Sequence, residues 1–313
     1  MTAFLIILGV VAFLLTATVI TAYICYRRVF YFARPREEDP YAIPAGEIYE
    51  PYRKEMVGFI KEVEALPHRK VSLRSFDGLT LRGRYYEFVK GAPIEILFHG
   101  YRGSARKELS GGVIRCRALG HNVLTVDHRG SGESEGRAAT FGILERRDAL
   151  LWVELVLRDI DPDAKILISG ISMGAATVLS CADAELPENV VGIVADCPYS
   201  SAREVIKKVM RDMHLPAHLL YPFVRLGGRL FGHFDPDEHS PMAAMKHSRV
   251  PVLFFHGDAD AFVPAEMSEA CHAACTSQSR LVITPGAGHG LCYPVDPEAY
   301  LAAIREFHGP RLY

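Results

Sequence analysis

The chain has 313 residues, a formal net charge of −2, 49% hydrophobic residues and 23% charged ones. That is enough apolar material for a large core, and the length admits one α/β domain of roughly 200–250 residues plus an appendage. The near-neutral charge balance gives no electrostatic reason to expect nucleic acid, so no nucleic-acid partner is expected.

The first segment in chain order is the most apolar. Residues 2–26 carry no charge, and a helix of that length, rising about 1.5 Å per residue, crosses a hydrocarbon core of about 30 Å. The sequence predicts a transmembrane anchor over residues 1–32. A cleaved signal peptide is disfavoured because no Lys or Arg precedes the apolar run and no small-x-small site closes it. Arg27, Arg28, Arg34 and Arg36 lie on its C-terminal flank, which by the positive-inside rule predicts a single-pass cell-membrane protein with its large C-terminal part in the cytoplasm.

Residues 33–66 read as a connection: four prolines among charges over 33–51 predict a semi-extended tether. Tyr52, Met56, Phe59, Ile60, Val63 and Leu66 then recur at helical spacing and predict a short amphipathic helix packed on the domain. From residue 67 to 313 the pattern changes. Two runs, 70–75 and 80–88, flank Asp77-Gly78 as a hairpin. Short apolar strands at 94–98, 122–126, 165–169, 190–195, 252–255 and 280–283 alternate with helices at 106–119, 142–158, 265–274 and 297–307. This alternation predicts a mainly parallel sheet flanked by helices on both faces. Residues 198–250 break the rhythm with no strand pattern, and a helical cap over the C-terminal edge of the sheet is expected there. On one cap helix Arg203, Lys207, Lys208 and Arg211 form a basic stripe, read as a solvated face. The seven cysteines are scattered without metal-ligand spacing. Free thiols in a reducing compartment are the expectation.

The chemistry concentrates in Gly170-Ile171-Ser172-Met173-Gly174, between an apolar strand and small, apolar residues. Two glycines around a serine are what a sharp strand-to-helix turn needs, because the two backbones come too close for side chains. A serine hydroxyl needs a base, and the base needs a group to fix its tautomer. His289 stands in a glycine-rich loop after the last strand, and Asp260 follows the strand before it. Asp258 is read as a turn-shaping neighbour, and Asp196 is a second acid at a strand end. His99, His128 and His256 are read as hydrogen-bonded structural histidines rather than metal ligands.

Five pieces together resemble the α/β-hydrolase superfamily, in the branch of serine-aminopeptidase-like proteins and membrane-anchored esterases or thioesterases. They are residues 99–103 (HGYRG), 127–134 (DHRGSGES), 170–174, 256–264 (HGDADAFVP) and 288–290 (GHG), all in the family's order. The resemblance covers the chain from about residue 70 onward. It implies a nucleophile Ser172, a base His289, an acid Asp260 and an oxyanion hole from the backbone N–H groups of Tyr101 and Met173. It also implies that the 127–134 loop buttresses the site, and that no metal or organic cofactor is needed. The expected function is a membrane-anchored serine hydrolase acting through an acyl-enzyme on small-molecule carboxylic esters or thioesters, lipid-derived ones included. The apolar cap and the membrane anchor together lead to an expected acyl pocket lined partly by cap residues 215–231. Two rival readings are a serine aminopeptidase, which calls for an acidic pocket for a free amine, and a non-catalytic binding protein on the same fold.

Overall fold

The computed structural model describes residues 1–32 and 39–313. Arg34, Pro35 and Arg36, part of the expected tether and of its positive flank, lie outside the described residues.

The N-terminal helix α1, Thr2–Val29, is long and apolar enough to cross a bilayer. Ala22 is its first buried residue. The twenty residues before that, 2–21, amount to about 30 Å of free helix, the thickness of a hydrocarbon core. Beyond residue 38 the connection is more structured than its composition predicts: Glu47–Tyr52 forms a 3₁₀ helix that leads directly into α2, Arg53–Ala65. The prolines stiffen this segment, and packing on the domain orders it (below).

The sheet begins with the hairpin β1, Arg69–Arg74, and β2, Thr80–Tyr86, and continues into β3, Ile94–Phe98. The helix expected over 106–119 is broken at Leu109 into α3, Ala105–Glu108, and α4, Ser110–Leu119. Gly120, in the left-handed region at φ +78°, terminates it. After β4, Asn122–Val126, come α5, Glu145–Leu155, with a π-helical extension to Ile160, and then β5, Ile166–Ile171. Next are α6, Met173–Leu179, and β6, Val190–Asp196. The cap contains α7, Ala202–Asp212, α8, Ala217–Gly227, a π-helical turn over 228–232 and α9, Pro241–Met245. The chain closes with β7, Val252–Gly257, α10, Glu266–Ala274, β8, Ser279–Thr284, α11, Cys292–Val295, and α12, Pro297–Leu312.

The eight strands are ordered β1-β2-β4-β3-β5-β6-β7-β8. The pairs β1–β2 and β2–β4 are antiparallel, and the rest are parallel. Helices cover both faces of this sheet, so β3, β4 and β7 are buried at every position and read as mainly apolar runs rather than alternating ones. The C-terminal ends of β3, β5, β6, β7 and β8 point to one edge, where ligands bind in open α/β sheets.

The basic stripe of α7 is not merely solvated. Arg203 pairs with Asp237, Lys208 with Asp212 and the carbonyl of Ala261, and Lys207 lies 5.3 Å over the Tyr221 ring. All seven cysteines are free thiols.

Candidate active site

At the end of β5 the chain turns through Ser172 at φ 55°, ψ −116°, a conformation that L-residues rarely adopt. The flanking glycines make that turn possible. A Cβ on Gly170 would come within 2.2 Å of the Gly174 carbonyl carbon, and one on Gly174 within 2.1 Å of the Phe98 carbonyl oxygen. Ser172 thus sits at the N-terminus of α6, where unpaired backbone N–H groups favour negative charge.

The structure brings the three sequence-selected side chains together. The Ser172 hydroxyl lies 2.8 Å from His289 Nε2, and His289 Nδ1 lies 2.7 Å from Asp260 Oδ2. An ionised carboxylate can only accept, so Nδ1 carries the proton and Nε2 is left to accept from the serine. Asp260 also accepts from the backbone N–H groups of Phe262 and Val263, at 2.9 and 2.8 Å. Burial opposes its charge, but the hydrogen bonds from His256 and His289 outweigh burial and hold the carboxyl well below the usual range. His256 is therefore more than a buried structural residue: its Nε2 lies 3.3 Å from Asp260 Oδ2 and donates to the Val263 carbonyl, while Nδ1 faces the Ser268 hydroxyl.

The neighbouring acids have other partners. Asp258 accepts the Gly286 N–H at 2.6 Å and so shapes the loop that carries His289. Asp196 accepts from the Tyr300 hydroxyl at 3.1 Å, and burial pushes its carboxyl above the usual range. Cys197 Sγ stands 4.0 Å from His289 Nε2, and with Asp260 these groups lie within 4.8 Å of one another. Both ring nitrogens of His289 are already engaged by Asp260 and Ser172, which leaves a metal no free imidazole nitrogen in this arrangement.

Tyr101 and Met173 border the serine from two sides. Gly100 packs against it, since a Cβ there would lie 3.4 Å from Ser172 Cβ. The Gly100 N–H donates to Glu108 at 2.7 Å, which leaves the next N–H, that of Tyr101, for other use. Among the described residues, no acceptor pairs with the N–H of Tyr101 or Met173. His99 and His128 hold the loop from beneath: His128 N–H donates to His99 Nε2, and His128 Nε2 lies 3.1 Å from the His99 carbonyl. Asp127 accepts from the N–H groups of Ala105 and Glu133 and ties the 127–134 loop to the start of α3.

A cavity of about 500 Å³ opens beside Ser172 and His289. Its apolar walls come from Ile43, Pro44, Tyr49, Met56, Phe59, Leu109 and Tyr293, and its inner end reaches Ser169 and Asp196. No residue of the cap from 198 to 250 lines it. This corrects the expectation that the cap furnishes the acyl pocket. The inner apolar faces of α8 and the following turn are covered instead by α1 and the residue after it: Ala22 and Phe30 are fully buried. Part of the wall comes instead from the supposed tether, which sequence inspection missed; Ile43, Ile48 and Tyr49 among its prolines were the available signal.

Similarity to known proteins agrees with this architecture. Residues 96–230 match the family described as the alpha/beta hydrolase fold, and residues 233–307 match a family of TAP-like proteins. The chain belongs to the α/β-hydrolase superfamily. Within it, the uncharacterized protein YqkD of Bacillus subtilis is 30% identical over 190 residues, 60% of this chain and 62% of that protein. The chain thus spans about three fifths of that relative's length. Protein bem46 of Schizosaccharomyces pombe is 24% identical over 246 residues, 77% of this chain and 74% of that one. Among solved structures, the Pyrococcus furiosus esterase Pf2001 superposes with a TM-score of 0.67 at 20% identity, covering 91% of this chain and all of that one. Mouse alpha/beta hydrolase domain-containing protein 10 superposes with a TM-score of 0.56 at 20% identity, covering 78% and 99%. At such identities these structures establish the hydrolase fold.

Proposed function

We propose that the chain is a membrane-anchored serine hydrolase that cleaves carboxylic esters or thioesters with acyl groups of medium length or longer. The observation that carries this reading is the continuous relay Ser172–His289–Asp260 at 2.8 and 2.7 Å beside an apolar cavity. Ser172 Oγ attacks the carbonyl carbon as His289 Nε2 takes its proton. The negative oxygen meets the N–H groups of Tyr101 and Met173. The imidazolium, stabilised by Asp260, then protonates the leaving alkoxide or thiolate. Water, activated by the same imidazole, releases the acyl group from Ser172.

The anchor supports a substrate drawn from the bilayer. The free helix of residues 2–21 matches the hydrocarbon core, and Val29 follows only about 12 Å further along the axis. Val29 touches the loop that borders Ser172, so the site stands at headgroup level in this reading. Arg27 and Arg28, in the last turn of α1, favour the cytoplasmic side. A peptidase would need an acid to hold a free amine. Glu108 and Asp196 line the cavity, but Glu108 is engaged by the Gly100 N–H, and Asp196 by the Tyr300 hydroxyl in a buried setting that disfavours its charge.

Ser172→Ala is expected to leave the fold intact, abolish labelling by a fluorophosphonate and lower ester turnover on the order of 10⁴-fold or more. Asp260→Asn should lower kcat by a factor approaching that, and Asp258→Asn by less than tenfold. Full labelling of the Ser172→Ala protein would refute the assignment, and the reverse ranking of the aspartates would move the acid.

A further inference from the structure

The end of α1 and the 3₁₀ segment each grip one of the two loops that carry the chemistry. The last carbonyls of a helix have no partner within it and must find one elsewhere. In α1 they find it on the loop after β3. The Tyr101 hydroxyl donates to the Val29 carbonyl at 2.6 Å. Arg102 Nη2 donates to the Arg28 carbonyl at 2.9 Å and to that of Tyr31 at 3.2 Å. The joint is closed by Phe30, fully buried against Phe141 and Phe234 with ring centroids 5.9 and 4.9 Å away. Arg102 itself is held at φ 58°, a left-handed conformation that a non-glycine residue keeps only where neighbours enforce it.

On the other side, the Tyr49 hydroxyl donates to the His289 carbonyl at 2.9 Å, across 240 residues of sequence. Ile48 is seated on Gly288, where a Cβ would come within 2.7 Å of Ile48 Cδ1. Burial pushes both tyrosine hydroxyls up to about 12, so each remains a donor at any physiological pH.

We propose that α1 and the 3₁₀ segment belong to the catalytic apparatus: the Tyr101 hydroxyl, held by Val29, positions the oxyanion N–H, and the Tyr49 hydroxyl positions the His289 imidazole. Both are positioning residues, and the inference rests on the hydrolase reading above. Transition-state donors must be placed within about 0.5 Å to work, whereas ground-state binding tolerates more. Releasing either brace therefore lowers kcat and leaves KM where it was.

The test uses the full-length protein in vesicles of zwitterionic phospholipid, a medium-chain p-nitrophenyl ester and fluorophosphonate labelling. Tyr101→Phe and Tyr49→Phe each remove one hydroxyl and keep the ring. Each is expected to lower kcat about tenfold with KM unchanged within twofold, and the double variant about 100-fold, because the two braces hold different groups. Tyr49→Phe should also move the acid limb of the kcat/KM profile, which a purely structural bond would not. Tyr313→Phe, at the exposed C-terminal tyrosine whose hydroxyl donates to the Leu119 carbonyl, should leave kcat unchanged. Arg102→Gln probes the same joint should Tyr101→Phe fold poorly. If kcat stays within twofold of wild type in the folded Tyr101→Phe (or Arg102→Gln) and Tyr49→Phe proteins, the inference is overturned. A wild-type protein that neither labels nor turns over ester overturns the hydrolase reading, and this inference with it.

Discussion

The cap and the segment between α1 and β1 exchange the roles that their compositions suggest. Rich in Leu, Phe and Tyr, the cap resembles a pocket roof, but it binds α1: Gly227 lies so close that a Cβ would sit 2.3 Å from the Ala22 carbonyl oxygen. The proline-rich connection resembles a spacer, but Ile43, Pro44 and Tyr49 wall the cavity beside Ser172. Apolar content measures how much surface seeks cover, not which partner supplies it. For the cap that partner is a helix some 200 residues earlier in the chain.

Filling the cavity from the connection side should have the largest effect. Gly111, on α4, faces Phe59 and Tyr293, and a Cβ there would meet them at the ordinary contact distances of 3.4 and 3.8 Å. Gly111→Leu is therefore expected to occupy the acyl space. It should lower kcat/KM about 100-fold for an octanoyl ester while sparing an acetyl ester, and it should hold or raise Tm, since Leu favours a helix by up to about 1 kcal/mol over Gly. The paired cap variant Leu215→Ser with Leu219→Ser, at two exposed positions, should change the octanoyl-to-acetyl ratio less than twofold. An acyl preference that follows the cap variant instead would reverse the comparison.

The cap's hold on α1 can be tested through stability. Gly227→Val drives a branched side chain into the Ala22 backbone, and overpacking of this kind costs about 1–3 kcal/mol. A fall of several degrees in Tm is expected, with new protease cleavage near Phe30. An unchanged Tm would mean that the contact contributes nothing.

Acid should have an effect of comparable size, on the connection side. His308 on α12 is buried with Nδ1 unpartnered, and burial pushes its imidazole down to about 4. Its unfolded value is near 6.5, so its full contribution is present above pH 6.5. It is lost as pH falls toward 4, to a limit of about 3 kcal/mol. The same α12 layer carries Tyr49, Tyr52 and Met56. Urea midpoints at pH 7.5 and 5.0 should differ more in wild type than in His308→Gln. Equal pH dependence would remove His308 as the cause.

What the sequence reveals follows the range of the forces involved. Buried parallel strands appear as apolar runs, and the turn at Ser172 declares itself through glycines that the backbone approach demands, so the sheet and its elbow are legible locally. Ser172, Asp260 and His289 come within hydrogen-bond reach in the structure, and their chemical roles rest on the variants above. Less legible is the break at Leu109, where φ −91° and ψ 0° separate α3 from α4 and only the Gly111-Gly112 pair just beyond hints at it. The π-helical turns at 156–160 and 228–232 leave no periodic trace either. The bonds from Tyr49 to His289 and from Tyr101 to Val29 are invisible in sequence because each joins segments far apart in the chain, through groups that any tyrosine and any peptide possess.

The free length of α1 carries a mechanical consequence. About 30 Å of apolar helix precedes Ala22, and a bilayer whose hydrocarbon layer is thicker would draw Ala22 and the turn after it toward the lipid. Mismatch costs a fraction of a kcal/mol per Å, and here the strain would run along a stiff helix to the Val29 carbonyl and the tyrosine bound to it. Under the proposed anchoring, membrane thickness would become a physical variable that the candidate site senses.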